Sequence, residues 1–147
     1  DWMLVTAGTT DHYNTMTAAW GGLGYMWNKP VAFIFVRPQR FTYQFIEKYE
    51  YFSLQFFDAS YRKMLNYCGT RSGRDVDKAA ETGLTAFAGP NDSVYFDQSR
   101  MQMECRKIYF DDIVPEHFIE SGIRKHYPEN DYHRMYIGEI TECLVKA

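Results

Sequence analysis

Three cysteines in 147 residues, Cys68, Cys105 and Cys143, are too few and too widely spaced for a disulfide framework or a zinc ligand set. A reducing, cytoplasmic compartment is the expectation that follows. The chain also lacks a basic balance. Its formal net charge of -3 sets nucleic acid aside as a principal partner. No apolar run approaches the ~20 residues that cross a bilayer, and Asp1 to Val5 read as the entry to a strand rather than the apolar core of a leader, so no membrane association is expected. His12, His117, His126 and His133 show no ligand spacing with carboxylates or thiols, and no metal site is expected. Gly21-Gly22-Leu23-Gly24 is not a dinucleotide fingerprint, because Trp27 falls where its last glycine belongs; no doubly wound nucleotide domain is indicated. No nucleophile elbow or Ser/Cys-His-Asp signature appears, and no catalytic side chain is assigned.

What the chain does have is aromatic surface: 12 Tyr, 11 Phe and 3 Trp, or 18% of residues, more than core filling requires and suited to flat pockets and interfaces. Its length fits one domain spanning residues 1–147. Strands are predicted at Trp2 to Ala7 and Thr15 to Trp20 around a Gly-Thr-Thr-Asp-His turn, and at Val31 to Val36, whose unbroken apolar run predicts burial on both faces. Further strands are predicted at Tyr51 to Phe57, Thr85 to Ala88, Val94 to Phe96, Met101 to Ile113 and Arg134 to Val145. Short helices fall between them: one capped by Thr42 and running to Tyr49, one capped by Ser60 and stopped by Gly69, and one capped by Asp75 and ended by Gly83. Many strands with few short helices predict a mainly-β fold, an antiparallel barrel with helical insertions.

Four stretches carry chemistry. Cys68-Gly69-Thr70-Arg71-Ser72-Gly73-Arg74-Asp75-Val76-Asp77-Lys78 joins glycines, a hydroxyl and three cations just before a helix start, the composition of a phosphate cradle. Asn14 to Gly22 is a strand of small residues (Thr17, Ala18, Ala19) ending at Trp20 and two glycines, against which a flat ring can lie on main chain. Arg37-Pro38-Gln39-Arg40-Phe41-Thr42 puts two guanidinium forks at a strand exit beside a capping hydroxyl. His133 to Ile140 enters the last long strand, where Gly138 marks a bulge or close backbone approach, and Tyr132, His133 and Tyr136 are candidates to reach a ligand. Each stretch alone has an ordinary structural account: a Gly-rich hairpin, surface arginines, a solvated helix face, a core strand.

In this order the stretches resemble the flavin reductase-like family of FMN-binding split-barrel proteins, the group that includes flavoredoxin. The residues that carry the likeness are Asn14, Met16-Thr17, Trp20-Gly21, Lys29-Pro30, Val36-Arg37-Pro38, Arg40, Thr42, Cys68-Gly69, Ser72-Gly73-Arg74-Asp75, Asp77-Lys78, Gly83-Leu84 and Tyr136 to Ile140. Ala18 and Ala19 depart from it by offering no hydroxyl. The resemblance implies a six-stranded antiparallel Greek-key split barrel that forms a homodimer with FMN near the interface. It implies reduction of that flavin by NADH or NADPH, or electron transfer with a redox protein partner and no nicotinamide site of its own; a non-catalytic FMN-binding module is the third possibility. The implied phosphate ligands are Arg40, Thr42, Ser72, Arg74 and Lys78. Met16, Thr17, Ala18, Ala19 and Trp20 would line the ring, and Asn14, Arg37, Cys68, Gly73 and Tyr136 would complete the site.

Overall fold

A computed structural model describes all of residues 1–147. Nine strands form in chain order: β1 (Met3–Thr9), β2 (His12–Ala18), β3 (Gly21–Met26), β4 (Lys29–Val36), β5 (Tyr51–Phe56), β6 (Ala86–Ala88), β7 (Val94–Phe96), β8 (Met101–Asp112) and β9 (Arg134–Val145). Three α-helices join them: α1 (Phe41–Lys48), α2 (Arg62–Thr70) and α3 (Lys78–Thr82). The fold is mainly β, as expected from the sequence.

Seven strands make one antiparallel sheet in the order β2-β1-β5-β8-β9-β4-β3, and β6 and β7 form a separate two-stranded ribbon. β2 and β3 are opposite edges of the large sheet, yet only Ala19 and Trp20 separate them in the chain. Three Cα steps reach about 11 Å at most, against roughly 29 Å across a flat sheet of seven strands. The sheet therefore rolls until its edges approach without pairing. This is a split barrel, and its seam falls at residues 18–21.

The barrel interior is filled by alternate residues of the strands, among them Val5, Ala7, Met16, Ile34, Val36, Phe52, Leu54 and Tyr136, with Phe45 and Ile46 of α1 closing one end. A second cluster packs α2 and α3 onto the outer face through Leu4, Met64, Leu65, Cys68, Ala79, Val94 and Phe96. Gly138 of β9 sits where the barrel is tightest; a Cβ there would lie 2.6 Å from Phe52 Cζ and 2.9 Å from Cys105 Cβ, the close approach its place in a strand suggests.

Several local expectations change. β3 reads from sequence as a Gly-rich turn, but it is a strand, held by a full antiparallel register with β4 from Gly21↔Ile34 to Met26↔Lys29. The turn between them uses Trp27 and Asn28, both in the left-handed region (φ 53° and 58°), the conformation of a type I′ hairpin. In β4, Val31, Ala32, Ile34 and Val36 are buried, but Phe33 and Phe35 are only half-buried, so the strand is covered fully on one face. The caps also shift. α1 begins after Arg40, so Thr42 lies inside the helix; Ser60 belongs to a 3-10 turn (Ala59–Tyr61); and α2 continues through Gly69 to Thr70. Asp77, rather than Asp75, caps α3 by accepting from the Ala80 N–H at 3.1 Å. Two more 3-10 turns, at Pro115–His117 and Ser121–His126, fill the link from β8 to β9.

Candidate functional site

Two adjoining cavities lie along the outside of β2. The first, about 220 Å³, is bordered at the barrel seam by Met16, Thr17, Ala18, Ala19 and Trp20 of the β2–β3 passage, by Phe35, Arg37 and Arg40, and by His133. The second, about 240 Å³, is bordered by Asn14, Gln39, Arg40, Thr42 and the run from Gly69 to Arg74, with Lys78 behind them. Arg40 borders both. The first cavity is walled by small and aromatic groups, the second by cations and polar groups.

The cationic cavity is assembled from three elements. β2 contributes Asn14, whose Nδ2 donates to Thr42 Oγ1 at 2.8 Å and ties the strand to the first turn of α1. The loop after α2 turns at Ser72, whose carbonyl accepts from the N–H groups of Asp75 and Val76 and whose hydroxyl accepts from the Arg74 N–H. That turn leaves the N–H groups of Ser72 and Gly73 without a protein acceptor. Arg74 donates to the Gln39 carbonyl at 3.2 Å and lies over the Phe41 ring at 4.8 Å, so its guanidinium is held in place at the cavity. α3 has only five residues, so the anion-binding capacity here rests on side chains and the two loop N–H groups rather than on a helix terminus.

Electrostatically the cavity is under-neutralised. Lys78 is buried and its Nζ donates to the carbonyls of Thr15 (2.7 Å) and Cys68 (2.8 Å). Burial, then the nearby Arg40 charge, pushes its ammonium down to about 8. Arg40 is lowered by the same two kinds of cause, burial first and then Arg37. Its Nη2 is buried and makes no hydrogen bond. A buried donor left without a partner costs free energy unless an acceptor is supplied. Four cations, Arg40, Arg71, Arg74 and Lys78, that border one cavity with no carboxylate among its lining residues call for an anion.

At the ring-sized cavity, Thr17 donates to the Leu65 carbonyl at 2.5 Å, which fixes β2 against α2 and leaves the main chain of 17–20 facing outward. Trp20 is about half exposed (47%) and packs against the rings of His126 (5.5 Å) and His133 (5.2 Å). Arg37 is occupied: it pairs with Asp131 at 2.8 Å, donates to the His126 carbonyl and covers the Tyr127 ring.

Most of the site residues read from sequence thus come together: Met16 to Trp20, Arg37 and Arg40 at one cavity, and Asn14, Arg40, Thr42, Ser72, Gly73, Arg74 and Lys78 at the other. Two do not. Tyr136 is buried in the barrel interior, where its hydroxyl donates to Glu47 Oε1 at 2.6 Å; its side of β9 faces inward. The Cys68 thiol points into the cluster under α2, beside Met64, and burial pushes it up to about 11, so it is a poor thiolate; only its carbonyl reaches the site, through Lys78. His133, a candidate from sequence, borders the ring-sized cavity, whereas Tyr132 does not. Phe35, Gln39 and His126 were missed. The period-2 alternation of β4 sets Phe35 on the face opposite Ile34 and Val36 and could have shown it. Gln39 and His126 act partly through main-chain carbonyls, which no side-chain pattern records.

The fold is that of a split-barrel protein, with a cavity walled by small and aromatic groups beside one walled by cations. The chain belongs to the flavin reductase like domain family, whose model matches residues 2–147. Solved structures agree on the fold. Flavoredoxin of Desulfovibrio vulgaris (Miyazaki F) is 26% identical with a TM-score of 0.76, over 99% of this chain and 69% of that one. An FMN-binding protein from Thermus thermophilus, with bound p-hydroxybenzaldehyde, is 19% identical with a TM-score of 0.78, over 99% and 71%. The NADH:FAD oxidoreductase of Streptomyces globisporus is 15% identical with a TM-score of 0.75, over 99% and 75%. A comparison with curated protein sequences finds no match. No helix is long and apolar enough to cross a membrane.

Proposed function

We propose that this protein binds FMN and passes a hydride to it from NADH or NADPH. The observation that carries the reading is Arg40, whose buried, unpartnered Nη2 stands where an aromatic-walled cavity meets a cationic one. The residues present fit the cofactor. Arg40, Arg74, Lys78, the Ser72 hydroxyl and the free N–H groups of Ser72 and Gly73 suit its phosphate; the 16–20 main chain and Trp20 suit its ring. Each charge-assisted hydrogen bond is worth about 1.5–3 kcal/mol, and micromolar retention needs about 8 kcal/mol. Two or three such bonds plus ring burial suffice.

Bound FMN supplies the hydride acceptor; the chain binds, orients and desolvates. Nothing in the site requires a side-chain acid or base, and we assign none. The partner we propose is a second copy of the chain. β3 is an edge strand exposed along its whole length, with Leu23, Tyr25 and Met26 at the surface and Trp27 exposed in the turn that follows. An apolar, unpaired edge of this kind is a liability unless covered. Cytoplasmic residence belongs to the same proposal, resting on the three unpaired cysteines.

The deciding experiment is anaerobic. FMN-loaded protein is mixed with NADH or NADPH and the flavin absorbance followed. Bleaching with either donor is expected. FMN retention without bleaching by either would leave an electron carrier reduced by a redox protein. Failure to bind FMN on titration would overturn the whole reading in favour of a module for another phosphorylated ligand.

A further inference from the structure

The aromatic cavity contains one polar group that the flavin reading does not use. His133 borders it between Trp20 and Phe35. Behind His133 stands Tyr127, whose buried hydroxyl lies 2.6 Å from His133 Nδ1, with the His133 main-chain N–H as its other neighbour. The two possible arrangements are not equivalent. A phenol is a stronger donor than a neutral imidazole N–H, and a buried phenol must place its proton on an acceptor. Nδ1 is the acceptor within reach. If Nδ1 accepts, a neutral ring carries its proton on Nε2. That nitrogen has no partner in the protein, and its ring faces the cavity.

The surroundings keep the ring neutral. Burial is the main cause, and the Arg37 guanidinium adds to it; Asp131 opposes but is already paired with Arg37 at 2.8 Å. Arg37 also lies over the Tyr127 ring at 4.8 Å, which fixes the phenol from the far side. The His126 ring meets Trp20 rather than His133. An uncharged N–H donor in an aromatic cavity selects a neutral acceptor oxygen rather than an anion.

We propose that Tyr127 is a positioning residue: its phenol fixes His133 as a neutral Nε2–H donor facing the cavity, where it meets a carbonyl oxygen of the molecule that reacts with the flavin, the carboxamide of a nicotinamide being that class of acceptor. The tautomer stands on the protein's own geometry; the carbonyl contact rests on the reading under Proposed function.

The test separates the two. Ring 15N spectra of His133 are recorded on the protein as purified and again after FMN is added. The expected result is the Nε2–H tautomer in both. Tyr127→Phe should give a mixture of the two tautomers. An Nδ1–H tautomer in the unsubstituted protein, or an unchanged spectrum in Y127F, overturns the proposal. The first of these needs no variant, so a Y127F protein that does not fold leaves the proposal open to refutation. For the carbonyl contact, His133→Gln keeps an amide N–H near the Nε2 position, whereas His133→Asn keeps one near Nδ1. With NADH as the donor, KM should rise about tenfold in H133N and clearly less in H133Q, the size of one lost hydrogen bond. Equal KM values for the two variants overturn the contact. Absence of any NADH reaction overturns the reductase reading instead, and the ring spectra still decide the tautomer.

Discussion

A Cβ placed on Gly73 would lie 1.9 Å from Asn14 Oδ1 and 2.7 Å from its Cγ, so the loop after α2 rests on β2 with no room for a methyl group. Asn14 cannot yield freely, because its Nδ2 is hydrogen-bonded to Thr42 inside the barrel end. Gly73→Ala should therefore displace the loop or break the Asn14–Thr42 bond. We expect a loss of about 1–3 kcal/mol in urea unfolding together with weaker FMN binding. A variant as stable and as avid as the parent would show that the loop moves without cost.

Arg40 gives a prediction of opposite sign for the two states. Replacing it with Met removes a buried, unpartnered donor and a charge that repels Arg37 and Lys78. Without FMN, Arg40→Met should melt at the same temperature as the parent or higher. FMN affinity, read by fluorescence quenching, should fall about 10–100-fold, the worth of one charge-assisted bond to phosphate. A lower melting point with unchanged affinity would place the phosphate elsewhere.

FMN affinity should depend on pH through Lys78. Its ammonium is held down to about 8 by burial and then by Arg40, and a bound phosphate, which favours the charged form, raises it. Binding is then strongest below about pH 8 and weakens as the free protein loses this proton. Lys78→Arg, charged throughout, should flatten the fall. A titration in which parent and K78R weaken together would exclude Lys78 as the source.

His133 should contribute to acid sensitivity. Its folded-state value is depressed from 6.5 to about 4, burial being the larger cause and Arg37 the smaller. The unfolded chain thus takes up this proton first as the pH falls through that window, so acid favours unfolding and stability rises again as the pH is raised. His133→Gln removes the linkage. Between pH 6.5 and 4 its unfolding free energy should fall less steeply than that of the parent, as measured by denaturant titration. Parallel curves would mean that His133 titrates normally in the folded protein.

The exposed edge strand predicts the oligomeric state. Tyr25 is 72% exposed and Leu23 55%, both on β3. Leu23→Glu with Tyr25→Glu should convert a dimer to a monomer on gel filtration and leave the far-ultraviolet spectrum intact. A parent that elutes as a monomer would remove β3 from consideration as a self-interface.

The parts of the molecule legible in the sequence are those set by local chemistry. Alternating or continuous apolar runs give β1, β2, β4, β5, β8 and β9, because the pleat alone decides which residues can be buried. The cluster of Arg, Ser, Gly and Lys between 69 and 78 marks the cationic cavity by composition. β3 was illegible because Gly21, Gly22 and Gly24 carry no strand preference of their own; the ladder with β4 makes the strand. Tyr136 was misassigned because one residue of register along β9 separates a side chain in the barrel from one outside it. The displaced caps at Arg40 and Asp77 reflect which side chain finds a free N–H, and that depends on the path of the preceding loop.

By itself the sequence determined the strand-rich class, the cationic loop and the small-residue passage from Met16 to Trp20. Tertiary structure decided that these meet. Two residues join opposite edges of a seven-stranded sheet, so the sheet must roll, and rolling brings the seam beside Arg40 and His133. It also decided which polar groups stay unpaired, among them Arg40 Nη2, Asp131 Oδ1 and the N–H groups of Ser72 and Gly73. Hydrogen-bond satisfaction is a property of distances between segments far apart in the chain, and only the closed fold fixes those distances.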